Sequence, residues 1–563
     1  MRRFSVLVAL LAGALLLSLP TLASAKGKPP QKDNATHIQL LAFNDFHGQL
    51  EPATGSSARV IADDGTTVNN VGGMQYMATW IHRLAQSNPN TFVLSAGDNI
   101  GASPLLSGLF HDEPTILALN DIGTKFSAVG NHEFDEGLTE LLRMQNGGCG
   151  PLGSCIDGQT FPGASFQYLA SNVFYTGTNR TIFPSAEVVR VGNTKIGFIG
   201  VSLQSTPSIV VPSGVAGLDF TPEAAAVNTV VHELRNEQGV RAFVVLLHDG
   251  SSQTASPATV DGCNGGLDGN FTQLVDAMDP MVGVVISGHT HSAYVCHIDG
   301  KLVTSAASFG RLVTDIDVTI DHQSKDITEA TARNQIVTRD VPQDPAITDL
   351  IDHYNPYASQ IANRVVGSVT APLTRTQNAA GESPLGDVIA DAQLADTSGP
   401  DSGNAVVAIT NPGGIRADLS VTGDVTYSEL YTIQPFNNVM NVETLTGAQI
   451  YQALEEQWSG GNAGSPKVLQ ISHSLTYTWD ASKDPGSRIV PGSVEINGVP
   501  VTDVGLYRVA LNNFLAAGGD NFAAFAGGTD LIGGDIDLDA LVYYFEANSP
   551  IAPPPLDRIT RLN

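Results

Sequence analysis

The sequence predicts an α/β fold in two domains, and three observations predict it. Five short apolar runs alternate with stretches of helical periodicity, an amphipathic segment near residue 350 divides the chain, and the remainder holds strand-like pieces between glycine-rich loops. The runs are Ile38 to Phe43, Thr91 to Ser95, Phe126 to Val129, Ala242 to Leu247 and Val282 to Ser287. Short and largely apolar, they read as buried strands of a mixed or parallel sheet. Met74 to Gln86 and Glu223 to Glu237 read as helices between them. In open α/β sheets the loops beyond the carboxyl ends of the strands form the binding crevice, so residues far apart in sequence converge there.

The dividing segment begins at Asp344-Pro345, an N-cap followed by a first-turn proline. Ile347, Leu350, Ile351, Tyr354, Ala358 and Ile361 recur at three and four residues, which predicts one apolar helix face. Pro356 inside the pattern is expected to kink or interrupt the helix. Residues 342–363 therefore read as the connection between a first domain, 36–341, and a second, 364–563. The second is read as α+β, with strand-like pieces at Val406 to Thr410, Leu475 to Trp479 and Tyr507 to Leu511.

Composition narrows the function class. A chain of 563 residues with 42% hydrophobic content and 57 glycines is a loop-rich globular protein able to bury a large core. Its 28 basic and 56 acidic residues give a net charge of −28, which argues against nonspecific binding to nucleic acid or anionic membranes. Any phosphate it handles must be held locally, by metals and a few arginines. Arg2 and Arg3 precede an apolar stretch from Val6 to Leu19 and then Ala23-Ser24-Ala25, the pattern of a secretory signal peptide cleaved after Ala25. No later run approaches about 18 consecutive apolar residues, so stable membrane insertion is not expected. The expected location is secreted or within the cell envelope, periplasmic or extracellular. Cys149, Cys155, Cys263 and Cys296 should pair in an oxidising compartment. Of the three connectivities, the local one, Cys149 with Cys155 and Cys263 with Cys296, is expected: it closes one small loop and brackets a segment of candidate metal ligands.

The chemistry-bearing residues follow the apolar runs. They lie in Asn44-Asp45-Phe46-His47-Gly48, Gly97-Asp98-Asn99, Gly130-Asn131-His132-Glu133-Phe134-Asp135, His248-Asp249-Gly250 and His289-Thr290-His291. A lone Asp or His after a strand is usually a turn former or a cap. Together, Asp45, His47, Asp98, Asn131, His248, His289 and His291 read as one dinuclear metal site. The mixture of imidazole, carboxylate and carboxamide suits two divalent metal ions such as zinc or manganese better than an all-oxygen calcium or magnesium cage.

With these motifs, and with Asn411-Pro412-Gly413-Gly414-Ile415-Arg416, Gln434-Pro435-Phe436 and Asn513-Phe514-Leu515-Ala516-Ala517-Gly518-Gly519-Asp520 in the second half, the chain resembles the secreted bacterial 5'-nucleotidase family over nearly all of its length past the leader. That resemblance implies an N-terminal αββα sandwich of the calcineurin-like metallophosphatase kind, joined by a helix to a C-terminal nucleotide-recognition domain. It places Asp45, His47, Asp98 and His291 on one metal and Asp98, Asn131, His248 and His289 on the other, with Asp98 as the bridge. A shared carboxylate can hold two cations roughly 3.5–4 Å apart, a separation that clamps a phosphoryl group and activates water. At His291 members of the family often carry Gln or Asn, whereas His is common in the wider superfamily, so retained activity with a changed metal preference is the expectation.

The resemblance also makes His132 and Asp135 a catalytic pair, the carboxylate orienting a ring that donates to a developing oxyanion. It implies phosphate and ribose contacts from Arg375, Asn411, Gly414 and Arg416, a base held between Phe436 and Phe514, and ribose hydroxyls met by Asp520. Core packing is the competing reading for both phenylalanines, and a solvated surface position for Arg375. The activity implied is removal of phosphate from a nucleotide by metal-activated water. The alternatives are a 2',3'-cyclic-nucleotide phosphodiesterase with 3'-nucleotidase activity, a UDP-sugar hydrolase, or a secreted nucleotide-binding protein without turnover. The sequence leaves the oligomeric state open.

Overall fold

Two six-stranded sheets face each other because their strands carry apolar side chains on both sides. In chain order the strands are β1 (Ala35–Phe43), β2 (Thr91–Ser95), β3 (Thr124–Ala128), β4 (Gln167–Leu169), β5 (Ala186–Val191), β6 (Thr194–Ser202), β7 (Ala242–His248), β8 (Val282–Ser287), β9 (Ala293–Ile298), β10 (Lys301–Ala306), β11 (Leu312–Asp321) and β12 (Ile327–Ile336). This is a computed structural model, and it describes residues 34–563 apart from 151–154, 156–157, 211 and 437. The leader expected in the first 25 residues lies outside the described residues.

One sheet runs β12-β11-β1-β2-β3-β4 and the other β9-β10-β8-β7-β6-β5. The central pairs β1 with β2, β2 with β3, β7 with β6 and β7 with β8 are all parallel, so their carboxyl ends share an edge. Side chains alternate across each strand. Ile38, Leu40 and Ala42 of β1 meet Val244 and Leu246 of β7 in the layer between the sheets. Leu41 and Phe43 point the other way, into a layer with Met74, Met77 and Ile81 of helix α1 (Met74–Leu84). On the far side, Val245 and Leu247 pack against Val227 and Val231 of α2 (Glu223–Gln238). These layers give the αββα order. Truncating a fully buried side chain such as Leu246 to Ala would cost about 2–5 kcal/mol.

The dividing helix α3 (Pro345–Ala362) starts where expected, with the Asp344 carboxylate accepting from Ala346 N and Ile347 N. Two expectations need correction. Pro356 does not interrupt the helix, which runs through it as one element; its exposed position, like that of Asp352 four residues earlier, leaves the unbonded carbonyl to water. The buried stripe is Ile347, Ile351, Tyr354 and Ala358, whereas Ile361 is 43% exposed, because the packing ends before the last turn. Tyr354 meets Phe110 edge to face at 4.7 Å, and α3 also touches the helix Tyr427–Ile433 of the second domain.

The second domain is α+β. Its main sheet contains β13 (Val407–Thr410), β14 (Val439–Thr446), β15 (Gln470–Ile471), β16 (Leu506–Asn512) and β17 (Thr529–Ile536) in the order β15-β13-β16-β14-β17. Helix α4 (Pro384–Thr397) is buried along much of its length against this sheet and the helix Asp537–Asn548. Both expected disulfides, Cys149–Cys155 and Cys263–Cys296, are present. The second ties a loop to β9 just beyond His289 and His291. Among the described residues no helix is long and apolar enough to cross a membrane.

Candidate active site

All seven candidate metal ligands lie at the shared carboxyl edge of the two sheets. Asp45 and His47 follow β1, Asp98 follows β2, Asn131 follows β3, His248 ends β7, and His289 and His291 follow β8. Five of them, Asp45, His47, Asp98, His289 and His291, have φ between 49° and 68°, left-handed backbone that non-glycine residues rarely adopt. Strain of this kind persists where the surroundings over-determine the conformation, and it gathers at functional sites.

The surroundings here are a network of hydrogen bonds between loops. Asp45 N donates to Gly97 O at 3.0 Å, His47 N to Asp98 O at 3.0 Å and Gly48 N to Asn99 O at 2.9 Å. The buried Glu133 carboxylate accepts from Asp98 N at 2.9 Å, Asn99 N at 2.8 Å and Gly130 N at 2.6 Å. Asn44 donates to Asp45 Oδ2 at 2.5 Å and to Ala307 O at 2.7 Å. Neither Glu133 nor Asn44 has a role in the sequence reading, although both stand inside its motifs.

The donors converge as two groups, Asp45 with His47 and His291, and Asp98 with His248 and His289, linked by a third, His47 with Asp98 and His132, each with its ligand atoms within 4.8 Å of one another. Asp98 stands between them. Its Oδ2 is 3.1 Å from His248 Nε2 and 3.7 Å from His47 Nε2. Asn131 Oδ1 is 3.1 Å from His248 Nε2 and 3.0 Å from His289 Nδ1, while His47 Nε2 and His291 Nε2 are 3.1 Å apart.

The chemistry of this donor set fits divalent cations. His47 Nδ1 donates to Gly101 O and His248 Nδ1 to Ala96 O, each at 2.8 Å, which turns both Nε2 atoms toward the cluster. Burial, with neighbouring positive charge, keeps His47 and His291 well below the usual histidine range and brings His289 to about 3, so these rings stay neutral with lone pairs to give. Burial also pushes the Asp45 carboxyl up to about 7, a carboxylate short of positive charge. At His248 burial opposes protonation, but Asp98 outweighs it and raises the ring to about 10. The oxygens that hold a proton on that nitrogen are the ones that would hold a cation there.

His132 and Asp135 meet as expected, Nδ1 to Oδ2 at 2.9 Å. Burial works against the imidazolium, yet Asp135 and Asp98 together raise its pKa. His132 N also donates to Asp98 Oδ1 at 2.9 Å, tying the pair to the donor cluster.

A cavity of about 210 Å³ runs from this cluster to the second domain. Its first wall is Asp98, Asn131, His132, Asp135, His289 and His291; its second includes Asn411, Gly414, Arg416, Phe436, Phe514 and Asp520. Arg416 lies 5.7 Å from the Phe436 ring centre, and its Nη2 is buried without a hydrogen-bond partner, as a nitrogen reserved for an anion would be. Phe436 stacks on His132 across the domain boundary, with ring centres 5.7 Å apart and planes at 22°. Phe514 packs against Gly519, where a Cβ would fall 2.5 Å from the ring.

Arg375 stands apart from the other expected substrate contacts. It does not line the cavity; Asp418 Oδ1 accepts its backbone N–H at 2.9 Å and its Nη1 donates to Ile415 O at 3.1 Å, so it supports the segment that carries Arg416. The cavity also has walls that sequence reasoning missed: Lys467, Asn438, Ile209 and Val210. Asn438 stands two residues past Phe436, within reach of that motif, whereas nothing local distinguishes Lys467 or the apolar pair.

Comparison with known proteins agrees with this architecture. The family model for calcineurin-like phosphoesterases matches residues 38–293, and that for the 5'-nucleotidase C-terminal domain matches residues 365–527. The chain is 31% identical to the endonuclease YhcR of Bacillus subtilis over 523 residues, 92% of this chain but 40% of that protein. It is 31% identical to the cell wall protein Lmo0130 of Listeria monocytogenes, covering 90% of this chain and 67% of the relative. Among solved structures, the 5'-nucleotidase precursor of Thermus thermophilus superimposes with a TM-score of 0.75 at 25% identity, over 94% of this chain and 100% of the other.

Proposed function

Because the chain belongs to the 5'-nucleotidase family, phosphoric ester hydrolases that join a calcineurin-like phosphoesterase domain to a 5'-nucleotidase C-terminal domain, we propose that it removes the phosphate of nucleoside 5'-monophosphates outside the cytoplasm. One observation carries the substrate reading: a single cavity joins the buried donor cluster of the first domain to the partnerless Arg416 nitrogen and the two phenylalanines of the second. A phosphate and an aromatic base at the two ends of one small molecule match that layout.

In this reading Asp45, His47, Asp98 and His291 would hold one divalent cation, and Asp98, Asn131, His248 and His289 the other. Bound there, two cations supply Lewis acidity toward phosphoryl oxygens and lower the pKa of water. Arg416 pairs with the phosphate oxygens through its free Nη2. His132 keeps Nδ1 on Asp135, which leaves Nε2 to donate a hydrogen bond to charge developing on phosphate or on the departing O5'. Phe436 gives up its stack on His132 to stack on the base with Phe514, a contact tolerant of base identity. The leader ending at Ala25 and the two disulfides support export.

The test is phosphate release from AMP by metal-stripped protein resupplied with zinc, manganese or cobalt, beside 2',3'-cyclic AMP and UDP-glucose assayed with a coupled phosphatase. Metal-dependent release from AMP is expected. Turnover confined to the cyclic or sugar nucleotide would overturn the monophosphate reading. Amino-terminal sequencing of exported protein, expected to begin at Lys26, checks the location.

A further inference from the structure

We propose that Lys467 is a specificity-determining residue for the sugar, donating to a ribose hydroxyl that the neighbouring Asp520 carboxylate also engages. The inference rests on the nucleotide reading above and adds a residue to it. Lys467 Nζ forms an ion pair with Asp520 Oδ1 on the cavity wall, with the two side chains 28% and 8% exposed. On the other oxygen, Asp520 Oδ2 accepts from Asn411 Nδ2 at 2.7 Å, and Asn411 is held in turn by Asn512 Nδ2 at 3.1 Å. The Asp520 backbone is left-handed, φ 56°, and its carbonyl accepts from Asn462 Nδ2 at 2.9 Å. The pair is therefore a fixed feature of the wall.

Counting donors and acceptors identifies what it can receive. An ammonium has three N–H donors, and a carboxylate has about four lone-pair positions. The bonds just described use one donor of Lys467 and two acceptor positions of Asp520. Donors and acceptors are left side by side. A hydroxyl uses both, giving its hydrogen to the carboxylate and accepting one from the ammonium. A phosphate group here would offer acceptors alone and would meet the carboxylate charge. A vicinal diol fits, and a 2',3'-cyclic phosphate, which has no hydroxyl at either carbon, does not.

The experiment is steady-state kinetics on the metal-loaded full chain with AMP, 2'-deoxy-AMP and 3'-deoxy-AMP, for the wild type, Lys467→Met, Lys467→Arg, Asp520→Asn and the double variant Lys467→Met with Asp520→Asn. Lys467→Met is expected to raise KM for AMP about tenfold with little change in kcat, while KM for one of the deoxy analogues stays where it was. Lys467→Arg, which keeps a charged donor, should restore part of the difference. Adding Lys467→Met to Asp520→Asn should still weaken AMP. Equal losses on all three substrates, no loss at all, or a loss that disappears in the Asp520→Asn background would each overturn the proposal, the last by reducing Lys467 to a support for Asp520. A wild type inactive on AMP would instead sink the nucleotide reading and this inference with it. Unchanged thermal melting of the variants separates these outcomes from misfolding.

Discussion

The two walls of the cavity are built on different principles. The first-domain wall hangs on the carboxyl ends of parallel strands, with left-handed backbone at five candidate ligands and Glu133 and Asn44 locking the loops from behind. The second-domain wall takes Arg416, Phe436, Lys467, Phe514 and Asp520 from loops and short helical turns spread over about a hundred residues, and its contacts are individual side-chain bonds and stacks. A group that must bind cations and stabilise charge needs fixed geometry, because misplacement by about 1 Å can cost about 10²-fold in rate. A surface that grips a base and a sugar can be assembled from separable contacts, each worth little alone.

That contrast predicts a graded series of losses. Chelation of divalent metal should abolish turnover, and zinc or manganese should restore it; activity surviving full metal removal would break the account of the first wall. His132→Ala should lower kcat by about 10²–10⁴-fold with metal content intact, read by single-turnover kinetics and metal analysis. Undiminished turnover would remove His132 from the chemistry. Asn44→Ala frees the Asp45 carboxylate of its side-chain donor and should weaken metal affinity about 10–100-fold, measured by competition with a chromophoric chelator. On the second wall, Phe436→Ala should cost about 1–3 kcal/mol of nucleotide binding, seen in KM for AMP but not for a small aryl phosphate. Loss on both substrates alike would mean that the stack on His132, not the base, is what Phe436 serves. The smallest effect is expected at Arg375→Ala, within a few-fold in kcat/KM, because its guanidinium supports Ile415 and lies off the cavity. A loss matching that of Arg416→Ala would return Arg375 to the phosphate.

The two walls also differ in how much of them could be read from the chain. The first was legible because strand ends concentrate chemistry in short motifs: an apolar run of buried β character followed at once by Asp, Asn or His. The runs at Thr91–Ser95 and Val282–Ser287 coincide with strands residue for residue. The position of Arg375 behind the wall was not legible, because Leu373-Thr374-Arg375-Thr376 has no local feature that separates a wall residue from a buttress. Lys467 was missed for the converse reason: its partner Asp520 is 53 residues away. Pro356 misled because the rule that proline breaks helices assumes the lost carbonyl partner matters, and at an exposed turn water replaces it.

By itself the sequence determined the order and type of the main elements, the family, and the candidate side chains for a metal site, since these follow from local periodicity and from residue types clustered within a few positions. The tertiary structure alone decided that Arg416 and Lys467 face the cavity, that Phe436 rests on His132, that Glu133 and Asn44 lock the loops, and that Asp98 groups both with His248 and His289 and with His47. Those facts depend on which loops meet across two sheets and two domains, and on which polar groups lose water when they do. Neither is encoded at any single position in the chain.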